Sequence, residues 1–354
     1  MNRIMNSNII NIADRSIGHG HPCMIIAEAG VNHNGSLEKA IDLVNIAYQS
    51  GADVVKFQLY NTEEQVSKLA TTPSYQYRNT GMQNVFEMSK DYDLDWDAHY
   101  AIESHCRSLG ILYMASCFDV DAVNFAIRLG SVCIKIASGE ITNYPLLSHI
   151  ASTNRTIILS TGMSSLEDVR GALKHIRSNG TNEIVLLQCA SDYPASPLTS
   201  NLLVMKTYAK EFGVNVGFSD HTIGSTVAAA AVALGACVVE KHFTLDKSLP
   251  GPDHAMSLDP DELSSFVHDI RSVEAALGDG NKVLHSDEID VQNSARRSIH
   301  TSKFIASGNK IEMNNITLKR PNVGIDPRLI KDVLGKTVIK DIKVDTPITW
   351  DMLK

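Results

Sequence analysis

Titratable side chains in this sequence gather where apolar runs stop. Lys56 follows "DVV", Lys135 follows "VCI", and Glu28 lies near the end of "CMIIAEA". The stretch "VVEKHFTLDKSLPGPDH" (238–254) carries Glu240, Lys241 and His242, then Asp253 and His254 beyond a Pro-Gly-Pro bend. A lysine inside an apolar run is costly unless an anion meets it. Each lysine alone reads as a snorkelling strand-edge residue; two of them suggest a cationic pocket. Ser116, Ser138, Ser160 and Ser219 sit at comparable run ends. Alone, each is a turn residue; together they add hydroxyl donors suited to a phosphate or carboxylate. His221, in "GFSDHT", and His242 close two successive runs. Two imidazoles with a carboxylate and open positions suit a divalent cation acting as a Lewis acid. A lone histidine there would more often be a hydrogen-bonded structural group. Glu28, ahead of the Gly-rich turn "AGVNHNG", is a candidate general base or hydroxyl acceptor. Asp253 and His254 read equally well as part of a solvated loop.

The elements that must position these groups alternate. Apolar, β-rich runs fall at 23–29, 53–59, 111–116, 132–137, 156–161, 183–189, 215–220 and 237–243. Most are continuously apolar, as strands covered on both faces should be. Between them lie helical patterns. "SLEKAIDLVNIAYQSGA" starts with Ser36 as N-cap and stops at Gly51, and "SLEDVRGALKHIRSNG" runs from Ser165, with Asp168 three residues on, to Gly180. Eight strand–helix units predict a closed (β/α)8 barrel, with an open doubly wound sheet as the rival. In a barrel the strand C-termini converge on one mouth, which brings the residues above together. Residues 60–95 form a connection longer than a βα loop needs, as lids and binding loops often are. The expected division is a barrel over 1–283, a polar linker over 284–294 and a small domain over 295–354. The small domain reads as short β-runs broken by Gly, Asn and Pro, with little core of its own.

Bulk properties exclude several classes. The chain is 44% hydrophobic with a net charge of −8, which argues against a dedicated nucleic-acid or anionic-membrane binder. Its six cysteines form no C-x-x-C pair and read as buried hydrophobes in a reducing cytoplasm. The start "MNRIMNSNIINIADRS" lacks the apolar core of a leader, and the Ala-rich run ending at Gly235 falls short of a membrane span. No Gly-rich nucleotide-binding fingerprint is present.

In order, "IIAEAGVNHNGS", "GADVVKFQ", "KIASGEITNYPLL", "ILSTGM", "GFSDHT", "VVEKHFTLDK", "GPDH" and "KRPNVGI" resemble the motifs of the N-acetylneuraminate (sialic acid) synthase family, which includes legionaminic acid synthases. The resemblance runs from about residue 23 to the C-terminus. It implies a (β/α)8 TIM barrel followed by a small, β-rich antifreeze-like (SAF) domain, in a domain-swapped homodimer. The implied reaction condenses phosphoenolpyruvate with N-acetylmannosamine or a related sugar, releasing phosphate. The implied cofactor is a divalent metal: manganese first, magnesium or cobalt as alternatives. By motif position, His221 and His242 match metal ligands. Lys56, Ser116, Lys135, Ser138, Ser160 and Ser219 match phosphoenolpyruvate-binding residues, Lys56 and Lys135 being also grouped with Glu28 at the reacting centre. Asn79, Glu140, Tyr193 and Asp253 match sugar-binding positions. Arg320 matches an arginine extended by the partner's small domain to the N-acetyl group. Three residues depart from the family pattern: Ser191 where Asn is frequent, Cys117 where Pro is common, and Asn322 where Gly is commonest.

The sugar is left open by the sequence, with 2,4-diacetamido-2,4,6-trideoxymannose, and hence legionaminic acid, as the alternative. A metal-dependent barrel lyase acting on a sugar phosphate would explain the lysines and histidines but not "KRPNVGI". A non-catalytic carbohydrate or ice binder would leave the strand-end residues without a purpose.

Overall fold

The computed structural model describes residues 9–180 and 183–354. Residues 1–8, where the first part of the stretch "MNRIMNSNIINIADRS" falls, lie outside them. By its internal packing the chain forms two units, Met1–Gly278 and Asp279–Lys354.

The first unit opens with a hairpin, β1 (Ile10–Ile12) and β2 (Arg15–Ile17), paired antiparallel. Eight parallel strands follow: β3 (Met24–Gly30), β4 (Val54–Leu59), β5 (Leu112–Cys117), β6 (Cys133–Ile136), β7 (Thr156–Ser160), β8 (Ile184–Cys189), β9 (Asn215–Asp220) and β10 (Val238–His242). They close into a barrel in chain order, with β10 returning to β3. All eight expected runs are strands, each within a residue or so of its sequence bounds, and the closed barrel replaces the open-sheet rival.

The hairpin was not expected from sequence. Its strands are three residues each, too short for a periodic signal. Ile10, Ile12 and Ile17 pack with Met24, Ile26, Val54, Met114, Ile158, Val185 and Val238. These are inward-facing residues from the first half of the strands, so the barrel's interior at that end is apolar and filled. The outer faces meet the helices in a second, larger apolar layer that includes Leu43, Phe57, Ile102, Phe218 and Phe266. The expected caps are present. Ser36 accepts from the Lys39 amide, and Ser165 with Asp168 makes a reciprocal capping box.

Residues 60–95 contain three short helices, Thr62–Gln65, Ser74–Thr80 and Val85–Asp91. The first and last start on asparagine caps, Asn61 and Asn84. The segment is therefore built, not an unstructured loop.

The second unit holds an antiparallel pair, β11 (Ser298–Thr301) and β12 (Ile316–Lys319), with isolated bridges elsewhere. Its core is Ile299, Ile305, Ile311, Ile316, Ile325, Val333, Val338, Ile342 and Ile348. The stretch read as a linker is largely helical, with a turn at Ser286–Glu288 and a helix at Ile289–Ala295. Among the described residues all six cysteines are free and buried, and no helix is long and apolar enough to cross a membrane.

Candidate active site

The barrel register sets the site. His242 lies beside Glu28, Glu28 beside Lys56, Ser116 beside Lys135, and Glu240 beside Ser219. Side chains alternate along a strand, so Glu240 and His242 share the inner face while Lys241 faces out. Lys241 there pairs with Asp220 at 2.9 Å.

These inner-face groups line a cavity of about 440 Å³ at the strand C-termini. At its centre is a four-charge network. Lys56 Nζ lies 2.8 Å from Glu28 and 3.5 Å from Glu240, and Lys135 Nζ lies 3.3 Å from Glu240. Lys56 also donates to Ser116 Oγ at 2.8 Å, and Ser219 donates to Glu240 at 3.1 Å. All four charged side chains are buried, the most accessible, Glu240, being 6% exposed. Burial pushes the Glu28 carboxyl up to about 7, although Lys56 opposes it. Burial works the same way on Glu240, but the Lys135 and Lys56 ammonium groups outweigh it and hold that carboxyl down at about 2. Burial lowers the Lys135 ammonium from its ordinary value, against the pull of Glu240.

The cavity also receives Ser138, Ser160, Tyr193, His221 and His242. Ser160 Oγ and His242 Nδ1 are buried without a hydrogen-bond partner. Ser138 Oγ accepts from the Gly162 amide at 2.9 Å. A Cβ at Gly162 would stand 2.1 Å from Ser191 Oγ, so a larger residue there would require the Ser191 hydroxyl to turn away. Gly30 has φ +54°, and a Cβ there would touch both His242 and Glu28 at 3.5–3.6 Å.

The two imidazoles suit a divalent cation. Their ring centres are 5.5 Å apart. His221 Nδ1 lies 2.8 Å from the Ala190 carbonyl; donating to it leaves Nε2 as the lone-pair nitrogen. Burial drives His242 well below its ordinary value, so its ring is neutral and its unpartnered Nδ1 is available. No group of three His, Cys, Asp or Glu stands ready as a metal site among the described residues. The pair would thus supply two ligands and leave the other positions open.

Tyr193 stacks on Tyr75 at 4.9 Å and packs on His221 at 4.2 Å. This aromatic wall borders a second chamber of about 280 Å³, roofed by residues 60–95, which shares Gln58, Tyr75, Phe118, Tyr193 and His242 with the first. Asp253 faces this chamber, 8% exposed, with its carboxyl raised to about 6 by burial. His254 is fully buried; it bonds Thr244 Oγ1 at 2.6 Å and Asn34 Oδ1 at 2.9 Å, so the loop reading fails for both residues.

Other expected residues lie apart. Asn79 is on the helix Ser74–Thr80 and donates to the Pro252 carbonyl at 2.7 Å, which anchors the loop carrying Asp253. Glu140 lines neither chamber and accepts from Asn143 Nδ2 at 2.7 Å. Arg320 is exposed in the second unit. Of the departures from the family pattern, Ser191 lines the first cavity, Cys117 ends β5 fully buried, and the Asn322 amide donates to the Asn293 carbonyl. By strand alternation Glu240 shares the mouth-facing side with His242, but the sequence assigned it no role; the structure places it between Lys56 and Lys135. Tyr75 carried no signal, because it belongs to a segment without strand or long-helix periodicity.

The NeuB family pattern matches residues 43–282, and a SAF domain pattern matches 296–354. The chain is 42% identical to the N,N'-diacetyllegionaminic acid synthase of Legionella pneumophila over 95% of its own length and 96% of the relative's. It superposes on the spore coat polysaccharide biosynthesis protein SpsE of Bacillus subtilis with a TM-score of 0.67 and 33% identity, covering 98% of this chain and 99% of that one. It superposes on the N-acetylneuraminic acid synthetase of Leptospira borgpetersenii with a TM-score of 0.72 and 30% identity, covering 80% and 95%. A (β/α)8 barrel with a charged mouth, joined to a SAF domain, defines the class. The chain belongs to the NeuB family of sialic acid synthases and is an enzyme of that family.

Proposed function

We propose that this protein condenses phosphoenolpyruvate with an N-acetylated amino-sugar aldehyde, giving a nine-carbon 2-keto acid and inorganic phosphate. The sugar is N-acetylmannosamine or 2,4-diacetamido-2,4,6-trideoxymannose. The observation that carries this reading is the buried network of Glu28, Lys56, Lys135 and Glu240 beside His221 and His242.

Phosphoenolpyruvate is small and strongly anionic. Lys56 and Lys135 would hold its phosphate and carboxylate, with Ser116, Ser138, Ser160 and Ser219 donating hydrogen bonds. Fixing both ends directs C3 at the aldehyde carbon, and this orientation supplies much of the rate. His221 and His242 would hold a divalent cation, manganese first and magnesium or cobalt next, which when bound draws electron density from the aldehyde oxygen. The C2–C3 π pair of phosphoenolpyruvate forms the new C–C bond, the aldehyde oxygen takes a proton, and C2 is left electron-poor. Glu28 stabilises that positive charge and orients water toward C2, accepting a proton as the C–O bond forms. The resulting adduct expels phosphate by C–O cleavage, leaving the ketone.

In the second chamber Tyr193 and Asp253 would meet the sugar, and Asn79 would hold the Asp253 loop. Glu140 would act only after turning from Asn143. Arg320 would reach the acyl group from the partner in a domain-swapped homodimer.

The test is phosphate release from phosphoenolpyruvate with sugar, metal or both omitted. Release only with both present supports the reading. Release without sugar, or no release with either sugar, contradicts it.

A further inference from the structure

Tyr75, which carried no sequence signal, sits where the roof meets the two imidazoles. We infer that Tyr75 is a positioning residue for the divalent cation: by stacking on Tyr193 it holds that ring against His221 and so sets the imidazole that would bind the metal. This rests on the reading that His221 and His242 hold a divalent cation.

One loop grips His221. Residues 190–196, which follow β8, carry no helix or strand. From this loop the Ala190 carbonyl lies 2.8 Å from His221 Nδ1, and the Ala195 amide donates to the His221 carbonyl at 2.8 Å. These bonds fix the main chain and one edge of the ring. A ring held by one edge can still tilt, and tilt matters because a metal–nitrogen bond follows the lone pair in the ring plane. The Tyr193 ring limits that tilt, lying 4.2 Å from His221 centre to centre at an interplanar angle of 34°. It also meets His242 edge-on at 6.2 Å, so one tyrosine borders both imidazoles.

Tyr193 needs support of its own. It is half-buried on the irregular loop, between exposed Asp192 and Pro194. Tyr75 supplies that support by stacking on it at 4.9 Å and 23°. Among the described residues Tyr75 makes no ring contact with His221 or His242, so its influence on them passes through Tyr193. The helix that carries Tyr75, Ser74–Thr80, has no fully buried residue and no side-chain N-cap. Its hold on the barrel therefore rests on contacts such as this stack and the Asn79 bond to the Pro252 carbonyl. A tyrosine that merely pinned the roof, or merely touched the sugar, would not change metal binding in the absence of both substrates.

The test measures Mn²⁺ affinity by electron paramagnetic resonance, on full-length protein stripped by chelation, with neither phosphoenolpyruvate nor sugar present. Tyr75→Ala is expected to raise the Kd about tenfold, the low end for losing a group that orients a metal-bound histidine. Tyr75→Phe keeps the stacked ring and should stay within about twofold of wild type. Tyr77 is 46% exposed on the same helix, so Tyr77→Ala removes a roof aromatic outside the stack and should also stay within about twofold. In turnover, Tyr75→Ala should need about tenfold more Mn²⁺ for half-maximal rate, yet regain kcat to within about threefold at saturating metal. A Tyr75→Ala Kd equal to wild type overturns the inference. Equal weakening in Tyr75→Phe or Tyr77→Ala also overturns it, because the stack is then not the cause. If wild type binds no Mn²⁺, or His221→Ala binds it as tightly, the metal reading beneath falls too, a result distinct from an unmoved Tyr75→Ala.

Discussion

The two chambers at the barrel mouth are built by opposite means. The inner one stands on strand ends, whose positions the barrel's hydrogen bonding fixes. Its charges are matched within the protein, with Glu28 against Lys56 and Glu240 between Lys56 and Lys135. The outer one stands on three short helices and a loop, held by single contacts such as Asn79 to the Pro252 carbonyl. Its lining is aromatic, amide and aliphatic, with one carboxyl. The inner chamber has the character of a preorganised electrostatic site, where donors and cations wait for an anion. The outer has the character of a specificity site, carried on connections that can vary without moving the barrel. Under the proposed function, chemistry and choice of substrate would be separated in space, with His242 and Tyr193 lining both chambers.

That contrast can be broken by substitution. The largest effect belongs to the inner chamber: Glu28→Ala and His242→Ala should each lower kcat by about 1,000-fold or more with thermal unfolding still cooperative. Near-normal turnover in either would remove the basis for the separation. Glu240→Ala should show a stability loss of about 3–5 kcal/mol, since it leaves two buried lysines short of a counter-ion. Denaturant unfolding measures it, and an unchanged midpoint would mean the network is not coupled as its distances indicate. A smaller effect is set by pH. Burial holds the Glu28 carboxyl at about 7, so it is protonated below that value and charged above it. If the carboxylate is the working form, kcat/KM for phosphoenolpyruvate should rise with pH through about 7, and Glu28→Gln should erase that limb from the residual rate. The smallest falls in the outer chamber: Asn79→Ala, losing one hydrogen bond, should raise the KM for sugar about tenfold or less and leave the kcat nearly unchanged.

The same contrast explains what the sequence made legible. Strand ends announce themselves, because a buried apolar run that stops at Lys56, Lys135 or Glu28 states both the element and its polar terminus. The barrel, its order and nine residues of the inner cavity followed from that: Glu28, Lys56, Ser116, Lys135, Ser138, Ser160, Ser219, His221 and His242. A tenth, Tyr193, came from the family motif, not from periodicity. Glu240 was readable only through strand alternation and needed the register to show that it bridges two lysines. The N-terminal hairpin was illegible because three-residue strands have no period, and its burial depends on a barrel formed later in the chain. Tyr75 was hidden for a related reason: what brings it to Tyr193 is tertiary packing of a short helix. Glu140 was placed by motif, yet its side chain turns to Asn143, a local choice that spacing does not encode.

The account turns on the inner chamber delivering water to C2 of phosphoenolpyruvate, not to phosphorus. Turnover in ¹⁸O-enriched water, with mass analysis of the released phosphate, tests this directly. Attack at C2 followed by C–O cleavage predicts phosphate that keeps all four oxygens of phosphoenolpyruvate and carries no ¹⁸O. Phosphate bearing one ¹⁸O atom would mean P–O cleavage and would contradict the role given to Glu28 and its neighbours.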